Sequence, residues 1–336
     1  MKKQSRSELQ EDANENSELT RKLNREMYNY DDEGIVKEKL DIIGESAPYS
    51  KPKFNMSGLA ADIRKQFKDS PKLSKRIGVG SNLSKLTDSD FIILPPWWKE
   101  CTGVAGLPFG KLVMIAGDSD SGKTSACIEA MKAAQTQEVG VIYVETEGKT
   151  TEADLRSWGV DPDNLLLVQS AIAEEAFQLL FAAWDGFASK YPGSKLLVVF
   201  DSIGNVVSQR DSEIDLTEQD SKPGGKGKIN RLAINKMISK MGECNAAVLI
   251  CNYTYDNIGS PGKTNAGGKA VNFFSSLTFQ TTRRGWYEKT VKGEKVRAGA
   301  DVVWKLFKNH LAKSALNKKE FTLRITSEGI SCVNSE

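Results

Sequence analysis

The stretch KLVMIAGDSDSGKT, residues Lys111–Thr124, consists of a short apolar run and a turn rich in glycine and serine that ends in Lys-Thr. The apolar run predicts a buried β-strand, and the turn matches the pattern G-x-x-x-x-G-K-[ST]. Helical spacing of apolar side chains follows at Cys127, Ala130, Met131 and Ala134. This strand–turn–helix context indicates a phosphate-binding loop, the alternative being an ordinary Gly/Ser turn before a helix.

The composition of the turn suits phosphate chemistry. Glycines allow the backbone N–H groups to face phosphate oxygens, and the helix N-terminus adds partial positive charge. We expect Lys123 to neutralise the β- and γ-phosphates of ATP and the Thr124 hydroxyl to bind Mg²⁺. The predicted ATP-binding residues of this stretch are Gly117, Asp118, Ser119, Asp120, Ser121, Gly122, Lys123, Thr124 and Ser125.

Two further apolar runs end in acidic residues. The run KLLVVFDS reaches Asp201, which could hold Mg²⁺ beside the phosphate-binding loop or serve as an ordinary helix cap or turn residue. The run VIYVETE supplies Glu145 and Glu147. A carboxylate there could orient the attacking water in ATP hydrolysis, although such a pair could equally belong to a solvated loop.

Near-continuous apolar strands alternate with helices in the middle of the chain, where one helix places Phe177, Leu180, Phe181 and Trp184 on a single face. This alternation predicts an α/β fold with a mostly parallel twisted sheet covered by helices on both faces. The later runs SSLTFQTTRRGWYE, KVRAGADVVWKLFKN and KEFTLRITSEG predict strands joined by short turns. The sheet is therefore expected to end in antiparallel strands.

Composition narrows the class of protein. The chain has 336 residues, 39% of them hydrophobic, enough for one sizeable core with a small appendage. A net charge of +2 means that a nucleic acid would be held by a local patch. Five scattered cysteines without a C-x-x-C pair, and a single histidine, His310, disfavour a zinc site and indicate a reducing compartment. Without a bilayer-spanning apolar stretch or a signal peptide, we predict a cytoplasmic protein with no membrane partner.

The N-terminal part differs from the rest. Residues 1–55 are polar and predict a flexible charged tail. Residues 56–80 contain SGLAADIRKQF, in which Leu59, Ile63 and Phe67 form an apolar stripe and Ser57 is the expected N-cap. Residues 81–336 are predicted to form the core.

Two segments that follow strands are rich in glycine and lysine. They are DSKPGGKGK, Asp220–Lys228, and NYTYDNIGSPGKTNAGGKA, Asn252–Ala270. The second is too long for an ordinary connection, so it predicts a functional loop rather than a disordered surface loop. Glycines permit close approach to a ligand's backbone, and lysines supply phosphate contacts.

Five motifs together resemble a known family. They occur in the order AGLPFGKLVMIAGDSDSGKT, YVETEG, WGVDPDNLLLVQS, LLVVFDSIGNV and NYTYDNIGSPGKTNAGGKAVNFF. This set resembles the RecA-type recombinases, especially phage-encoded ones of the UvsX kind, from about Ser57 to near the C-terminus. The resemblance implies a RecA-like ATPase core that uses ATP and Mg²⁺. It also implies that the helix in residues 56–80 docks onto a neighbouring protomer, with Ile63 or Phe67 as anchor; intramolecular packing of that helix is the alternative.

The resemblance assigns roles to individual positions. Lys123 and Thr124 match the pair that binds phosphate and Mg²⁺, Asp201 the second metal-site residue, and Glu147 the water-activating glutamate. Asn252 and Tyr253 fall where the family has a polar γ-phosphate sensor, often Gln or His, that couples the γ-phosphate to the following loop, so tyrosine is a departure.

Three further positions concern the subunit boundary and the adenine. Lys308 and His310 match two lysines that reach the ATP of the adjacent subunit, and His310 could instead be a turn histidine. Asp154 replaces the aromatic residue that stacks on adenine in relatives, so that contact is not transferred to this chain.

The resemblance further implies DNA-binding loops at about residues 208–228 and 253–269, which line the axis of a helical filament on single-stranded DNA. The expected DNA contacts are Lys222, Lys226, Lys228, Gly259, Lys263, Thr264, Asn265, Gly267, Gly268 and Lys269. The predicted function is DNA-dependent ATP hydrolysis coupled to homologous pairing and strand exchange with double-stranded DNA. Single-strand-binding or mediator proteins are further candidate partners.

Two alternative functions are compatible with parts of this sequence pattern. A hexameric helicase with the same core would carry an arginine finger, for which Arg283 or Arg284 could serve. A non-catalytic ATP-binding regulator would bind nucleotide and a protein partner without turnover. Separately, Trp97 and Trp98 of PPWWKE could pack at a subunit boundary or cover the edge of the core.

Overall fold

The computed structural model describes residues 54–74, 76–79, 86–213, 225–241, 244–256, 263–266, 269–312 and 320–333. The chain divides into two units, residues 1–83 and 84–336. The first unit contains helix α1 (Met56–Gln66) and the short helix α2 (Pro71–Ser74). Nowhere in the described ranges is a helix both long and apolar enough to cross a membrane.

Helix α1 confirms the predicted helix but not its predicted cap. The side chain of Asn55, not Ser57, accepts the N–H of Gly58 at 2.9 Å, so the helix begins before the expected residue. Asparagine is among the strongest N-cap residues, and Asn55 lies two residues before Ser57, which is therefore inside the helix. Of the predicted apolar stripe, Leu59 and Phe67 are exposed.

The second unit alternates strands and helices along most of its length. Its helices are α3 (Pro96–Thr102), α4 (Lys123–Thr136), α5 (Glu152–Ser157), α6 (Ala173–Lys190), α7 (Gln209–Ser212), α8 (Gly225–Met241) and α9 (Lys269–Phe274). Its strands are β1 (Phe91–Ile93), β2 (Gly106–Pro108), β3 (Leu112–Gly117), β4 (Gly140–Glu145), β5 (Leu166–Gln169), β6 (Leu196–Asp201), β7 (Ala246–Asp256), β8 (Lys263–Asn265), β9 (Leu277–Val291), β10 (Glu294–Asn309), β11 (Glu320–Thr326) and β12 (Gly329–Cys332).

One large sheet organises this unit. Its strand order is β12-β11-β10-β9-β3-β7-β6-β4-β5, and β8 pairs with the C-terminal end of β7. The strands from β9 to β5 run parallel, whereas β10, β11 and β12 are antiparallel. Strands β1 and β2 form a separate antiparallel pair. The predicted α/β fold, with a mostly parallel sheet that ends in antiparallel strands, is confirmed.

Helices cover both faces of the sheet. Alternate residues of β3 enter opposite cores, Val113 and Ile115 on the α3–α4 side and Leu112 and Met114 on the α6–α8–α9 side. This period of two is the reason that a continuous apolar run marks a strand buried on both faces. The two predicted helical faces, on α4 and α6, are both buried.

The tryptophan pair of α3 belongs to the core. Trp97 and Trp98 are buried, with ring centroids 5.7 Å from Trp304 and 5.1 Å from Phe279, respectively. Such edge-on and tilted aromatic contacts add to the stabilisation from burial. Of the two alternatives for this pair, packing with the core is the one observed.

A buried carboxyl group lies beside this aromatic cluster. Glu129 of α4 accepts the indole N–H of Trp97 at 3.2 Å and a backbone N–H from Ile330 of β12. Burial is the largest influence on this group and raises its pKa to about 7, whereas the two hydrogen bonds and Lys132 act in the opposite direction. The free energy of unfolding is therefore expected to depend on the charge of Glu129.

Candidate nucleotide-binding site

The carboxyl ends of four adjacent strands meet at one edge of the sheet. Gly117 of β3 is paired with Tyr253 of β7, and Glu145 of β4 with Asp201 of β6. They surround a pocket of about 410 Å³. The pocket is lined by Ser119, Asp120, Ser121, Gly122, Lys123, Thr124, Ser125, Glu147, Lys149, Asp201, Ser202, Asn205, Tyr253 and Thr254. Ligand sites of parallel α/β sheets form at this edge.

The phosphate-binding loop is fixed against strand β9. A Cβ atom at Gly117 would lie 2.1 Å from the Thr281 hydroxyl and 2.2 Å from the Thr281 carbonyl oxygen, so this position requires glycine. The Ser121 hydroxyl donates to the Asp118 carbonyl at 2.7 Å and lies 2.6 Å from the Thr281 hydroxyl. Gly122 has φ +83°, which glycine adopts without strain, and precedes α4 directly. The shape of the loop is thus determined by contacts within the protein.

The side chain of Lys123 lies inside the phosphate-binding loop and contacts its backbone. Its ammonium donates to the carbonyl oxygens of Gly117 at 3.1 Å and Asp118 at 2.6 Å. The positive charge therefore lies among the backbone groups that would face a phosphate. This geometry fits the predicted role of Lys123 as the phosphate-binding cation.

Thr124 and Asp201 form the candidate magnesium site. The Thr124 hydroxyl donates to Asp201 Oδ2 at 2.7 Å, and Asp201 is buried. Burial raises the pKa of Asp201 above its usual value, while the bond from Thr124 and the charge of Lys123 act in the opposite direction. A hydroxyl and a carboxylate are the hard oxygen ligands that Mg²⁺ prefers, so these residues fit the ion.

The two acids of VIYVETE have different environments. Glu145 is 4% exposed and accepts backbone N–H groups from Glu147 at 3.1 Å, Gly148 at 2.6 Å and Lys149 at 3.2 Å. It therefore shapes the turn after β4. The carboxylate of Glu147 lines the pocket, where Lys149 and Asn205 donate to it and the Ser202 hydroxyl lies 3.5 Å away. Only Glu147 of the two is placed to face a nucleotide.

Several site residues were missed by the sequence interpretation. Thr146 joins the ends of β4 and β6, because its hydroxyl bonds the Ser202 carbonyl at 3.1 Å and accepts the Ser202 N–H at 3.0 Å. Asn205 and Lys149 contact Glu147. No periodicity or motif marks these residues, since they lie in turns after the strands.

Strand β7 links the pocket to a hairpin. The ring of Tyr253 packs over Gly204, where an added Cβ would lie 2.6 Å from ring atoms. The next residue, Thr254, donates its hydroxyl to Asp118 Oδ1 at 3.1 Å. Beyond it, β7 pairs with β8 through Thr254 opposite Asn265. The chain that leaves the pocket is therefore directly connected to the phosphate-binding loop.

The prediction of a loop throughout Asn252–Ala270 was wrong for the described part. β7 extends to Asp256, β8 returns beside it, and α9 begins at Lys269. The tyrosines and threonine of NYTYD favour extended structure, and the first apolar run alone did not reveal that the strand continues. Of the expected DNA contacts here, Lys263, Thr264 and Asn265 belong to β8, whereas Gly259, Gly267 and Gly268 lie outside the described residues.

The other lysine-rich segment is partly helical, which corrects its prediction as a loop through residue 228. Helix α8 begins at Gly225 and includes Lys226 and Lys228, while Lys222 lies outside the described residues. The ammonium of Lys226 donates to the Gly204 carbonyl, and burial lowers its pKa. The Leu, Ile and Met residues that follow Lys228 give this helix an apolar face, and their packing stabilises it. The helix can therefore begin within the glycine-rich segment.

The remaining predicted positions lie outside the pocket lining. Lys308 donates to the carbonyl oxygens of Asn272 at 3.0 Å and Phe273 at 2.9 Å, and burial lowers its pKa. His310 is exposed just after β10. Arg283 pairs with Asp120 of the phosphate-binding loop at 3.3 Å.

Asp154, for which no adenine contact was predicted, completes the capping box of α5, whose N-cap is Thr151. Its carboxylate accepts the hydroxyl of Thr151 at 2.6 Å and the backbone N–H of the same residue at 2.9 Å. These two bonds lower its pKa. The residue thus has a structural reason for its identity.

Sequence comparisons relate this chain to known proteins. A family model described as the RecA N-terminal domain matches residues 98–331. Protein RecA of Fusobacterium nucleatum subsp. nucleatum is 28% identical over 213 residues, which cover 62% of this chain and 53% of the relative. Protein RecA of Bartonella bacilliformis is 29% identical over 233 residues, 68% of this chain and 63% of the relative. The matched region of this chain thus spans less than two thirds of the length of either relative.

Proposed function

The chain belongs to the RecA family, and on this premise we propose that it is an ATP-dependent DNA recombinase. It assembles as a helical filament on single-stranded DNA and promotes homologous pairing and strand exchange with double-stranded DNA. ATP binding stabilises the DNA-bound filament, and hydrolysis releases it. We place its action in the cytoplasm, that of a bacterial host if the UvsX-like character reflects a phage origin.

One observation carries this proposal. The phosphate-binding loop and the β7–β8 hairpin are joined by the bond between Thr254 and Asp118, at 3.1 Å. A change at the nucleotide is thereby transmitted to the hairpin whose far end includes Lys263. The proximity of the two functions at one sheet edge is what a DNA-dependent ATPase needs.

The proposed hydrolysis uses the pocket residues in separate roles. Lys123 neutralises phosphate charge, and Thr124 with Asp201 would hold the Mg²⁺ that neutralises the β- and γ-phosphate oxygens when bound. Glu147 orients the attacking water and accepts its proton. Asn205 and Ser202 hold the carboxylate of Glu147 in the pocket.

DNA binding is proposed to depend on repetition of subunits. Neutralising about three phosphates per protomer gives a salt slope of only roughly −2 for single strands, which is weak. Adjacent protomers multiply this effect by avidity, and α1 is the proposed contact between them. Lys308 and His310 are proposed to approach the nucleotide of the neighbouring protomer.

The decisive experiment is ATP hydrolysis by the full chain with and without single-stranded DNA, together with electron microscopy and a strand-exchange assay. The proposal expects DNA-stimulated turnover, open helical fibres and exchanged strands. Closed hexameric rings with strand separation would identify a helicase instead. Nucleotide binding without turnover, with or without DNA, would identify a non-catalytic regulator.

Lys123→Ala is expected to weaken ATP binding by about 10- to 100-fold. The change removes charge-assisted bonds to phosphate, each worth about 1.5–3 kcal/mol. Titration with a fluorescent ATP analogue measures the effect. The matched control is Lys132→Ala, which removes the same charge from an exposed position of the same helix. Equal affinities of the two variants would contradict the assignment.

Lys263→Ala combined with Lys269→Ala is expected to weaken binding of single-stranded DNA and to leave nucleotide affinity unchanged. Loss of two phosphate contacts makes the slope of log affinity against log salt shallower by about 1.4. The control combines Lys111→Ala with Lys195→Ala, at the amino ends of β3 and β6, on the opposite edge of the sheet. If both double variants change the salt slope equally, Lys263 of β8 and Lys269 of α9 are not the DNA contacts.

A further inference from the structure

Two buried cysteines face each other beneath the nucleotide pocket. Cys127 of α4 and Cys251 of β7 have no exposed surface, and their sulfur atoms lie 3.1 Å apart. A carboxylate oxygen of Asp201 and both sulfurs lie within 4.8 Å of one another. The sequence interpretation treated the five cysteines as scattered, because these two positions are 124 residues apart in the chain.

The pair connects two elements that carry the candidate site. Cys127 follows Thr124 by one helical turn, so its backbone belongs to the first part of α4. Cys251 immediately precedes Asn252 and Tyr253, on the strand that leads to the β7–β8 hairpin. A covalent link between the sulfurs would therefore fix the phosphate-binding helix to that strand.

We propose that Cys127 and Cys251 form a dithiol modification site, which a peroxide oxidises to a disulfide that lowers nucleotide affinity. Burial raises the pKa of both thiols, so one of them forms its thiolate only while the structure is locally open to solvent. This thiolate attacks a peroxide oxygen, the O–O bond breaks, and the departing oxygen takes up the proton that the thiol released and leaves as water or alcohol. The second thiol then attacks the sulfenic acid; the S–S bond forms and the hydroxyl leaves as water with the second thiol proton. Two thiols thus supply the two electrons that reduce one peroxide.

The geometry favours a disulfide over a metal at these sulfurs. A tetrahedral zinc site with Zn–S bonds of about 2.3 Å separates its sulfurs by roughly 3.8 Å, farther than the distance observed. Disulfide formation instead requires the sulfurs to approach to about 2.05 Å, an inward movement of roughly 1 Å. A sulfenic acid on one residue would also meet the other thiol before it meets a second peroxide.

The consequence for the nucleotide site follows from the same movement. Drawing the first turn of α4 toward β7 displaces Thr124 relative to Asp201, whose 2.7 Å bond forms the candidate magnesium site. Loss of one charge-assisted contact between this site and the Mg²⁺ that accompanies ATP corresponds to about 10- to 100-fold in nucleotide affinity. Access for a small oxidant comes from local opening of the structure. This regulatory effect rests on the proposed ATP site, but not on DNA binding or strand exchange.

The test treats the full chain with hydrogen peroxide, removes the oxidant, and then measures two quantities. Peptide mapping by mass spectrometry should find the Cys127–Cys251 crosslink, with the loss of two hydrogens. Affinity for a fluorescent ATP analogue should fall by about 10- to 100-fold and return after treatment with dithiothreitol. Cys251→Ser and, independently, Cys127→Ser should form no such crosslink and keep their affinity after peroxide treatment.

Two outcomes would overturn the inference. The first is no crosslink between these residues at peroxide doses that oxidise the partly exposed Cys244 and Cys332 of the same molecules. The second is a complete crosslink with unchanged nucleotide affinity. Because neither measurement includes DNA, a protein that fails as a recombinase could still pass this test. If one serine variant does not fold, the other variant still serves as the control. The peptide map of the peroxide-treated chain without substitutions then shows whether the crosslink forms.

Discussion

Glu147→Gln is expected to lower the rate of ATP hydrolysis by about 10²- to 10⁴-fold, the usual contribution of a general base. Glutamine has nearly the same shape and retains an oxygen for the donors at Asn205 and Ser202, so the pocket should keep its form. It cannot accept the proton of the attacking water. ATP should still bind, and the DNA-bound state that depends on ATP should persist because turnover is blocked.

The measurement is single-turnover hydrolysis, with nucleotide affinity determined in parallel. Glu145→Gln provides the matched control, since its side chain lies two residues away but supports the turn through three backbone N–H groups. That variant should be less stable by about 1–3 kcal/mol, because its buried amide N–H groups lack good hydrogen-bond partners. Its rate of ATP hydrolysis should change much less than that of Glu147→Gln. Normal hydrolysis by Glu147→Gln would show that the proton acceptor is another group.

Glu129→Gln is expected to make the protein more stable than the unsubstituted chain by about 3 kcal/mol at pH 8, with no difference near pH 4. The pKa of Glu129 is about 7 in the folded state, against a usual value of 4.5. Each unit of difference corresponds to about 1.4 kcal/mol. Below pH 4.5 both states hold the proton, so the group has no effect on folding there.

The direction of the pH dependence of stability follows from which state, folded or unfolded, holds the proton of Glu129. Between pH 4.5 and 7 the unfolded chain loses this proton while the folded protein keeps it, so the free energy of unfolding falls as pH rises. Glutamine stays neutral and its oxygen can still accept the Trp97 and Ile330 N–H groups. Urea unfolding of both proteins across this pH range gives the difference directly. Parallel pH profiles would mean that Glu129 titrates normally.

The sequence predicted the strands and helices whose apolar patterns are strong. The continuous runs at β3 and β6 and the helical face of α6 are buried as expected, because a core leaves little freedom at such positions. The phosphate-binding loop was recognisable because its chemistry demands particular residues at fixed spacing. Strand ends then placed Asp201 and Glu147 at the same edge by topology alone.

Contacts between distant segments could not be predicted in this way. Neither the bond between Thr254 and Asp118 nor the approach of Cys127 to Cys251 leaves a local pattern, since each depends on which strands become neighbours. The local sequence pattern also could not distinguish the roles of Glu145 and Glu147. In the folded turn, the carboxylate of Glu145 accepts backbone N–H groups, whereas that of Glu147 lies in the pocket. The start of α1 at Met56, with Asn55 as its N-cap, reflects competition between two residues that both cap helices well.

The attachment of the phosphate-binding loop to β9 restricts how this protein can diverge. Gly117 faces a backbone oxygen of Thr281, so no side chain at position 281 makes room for a larger residue at 117. Ser121 and Thr281, in contrast, share one hydroxyl–hydroxyl bond across 160 residues of sequence. In an alignment of close homologues, position 117 should be invariant, while positions 121 and 281 should covary.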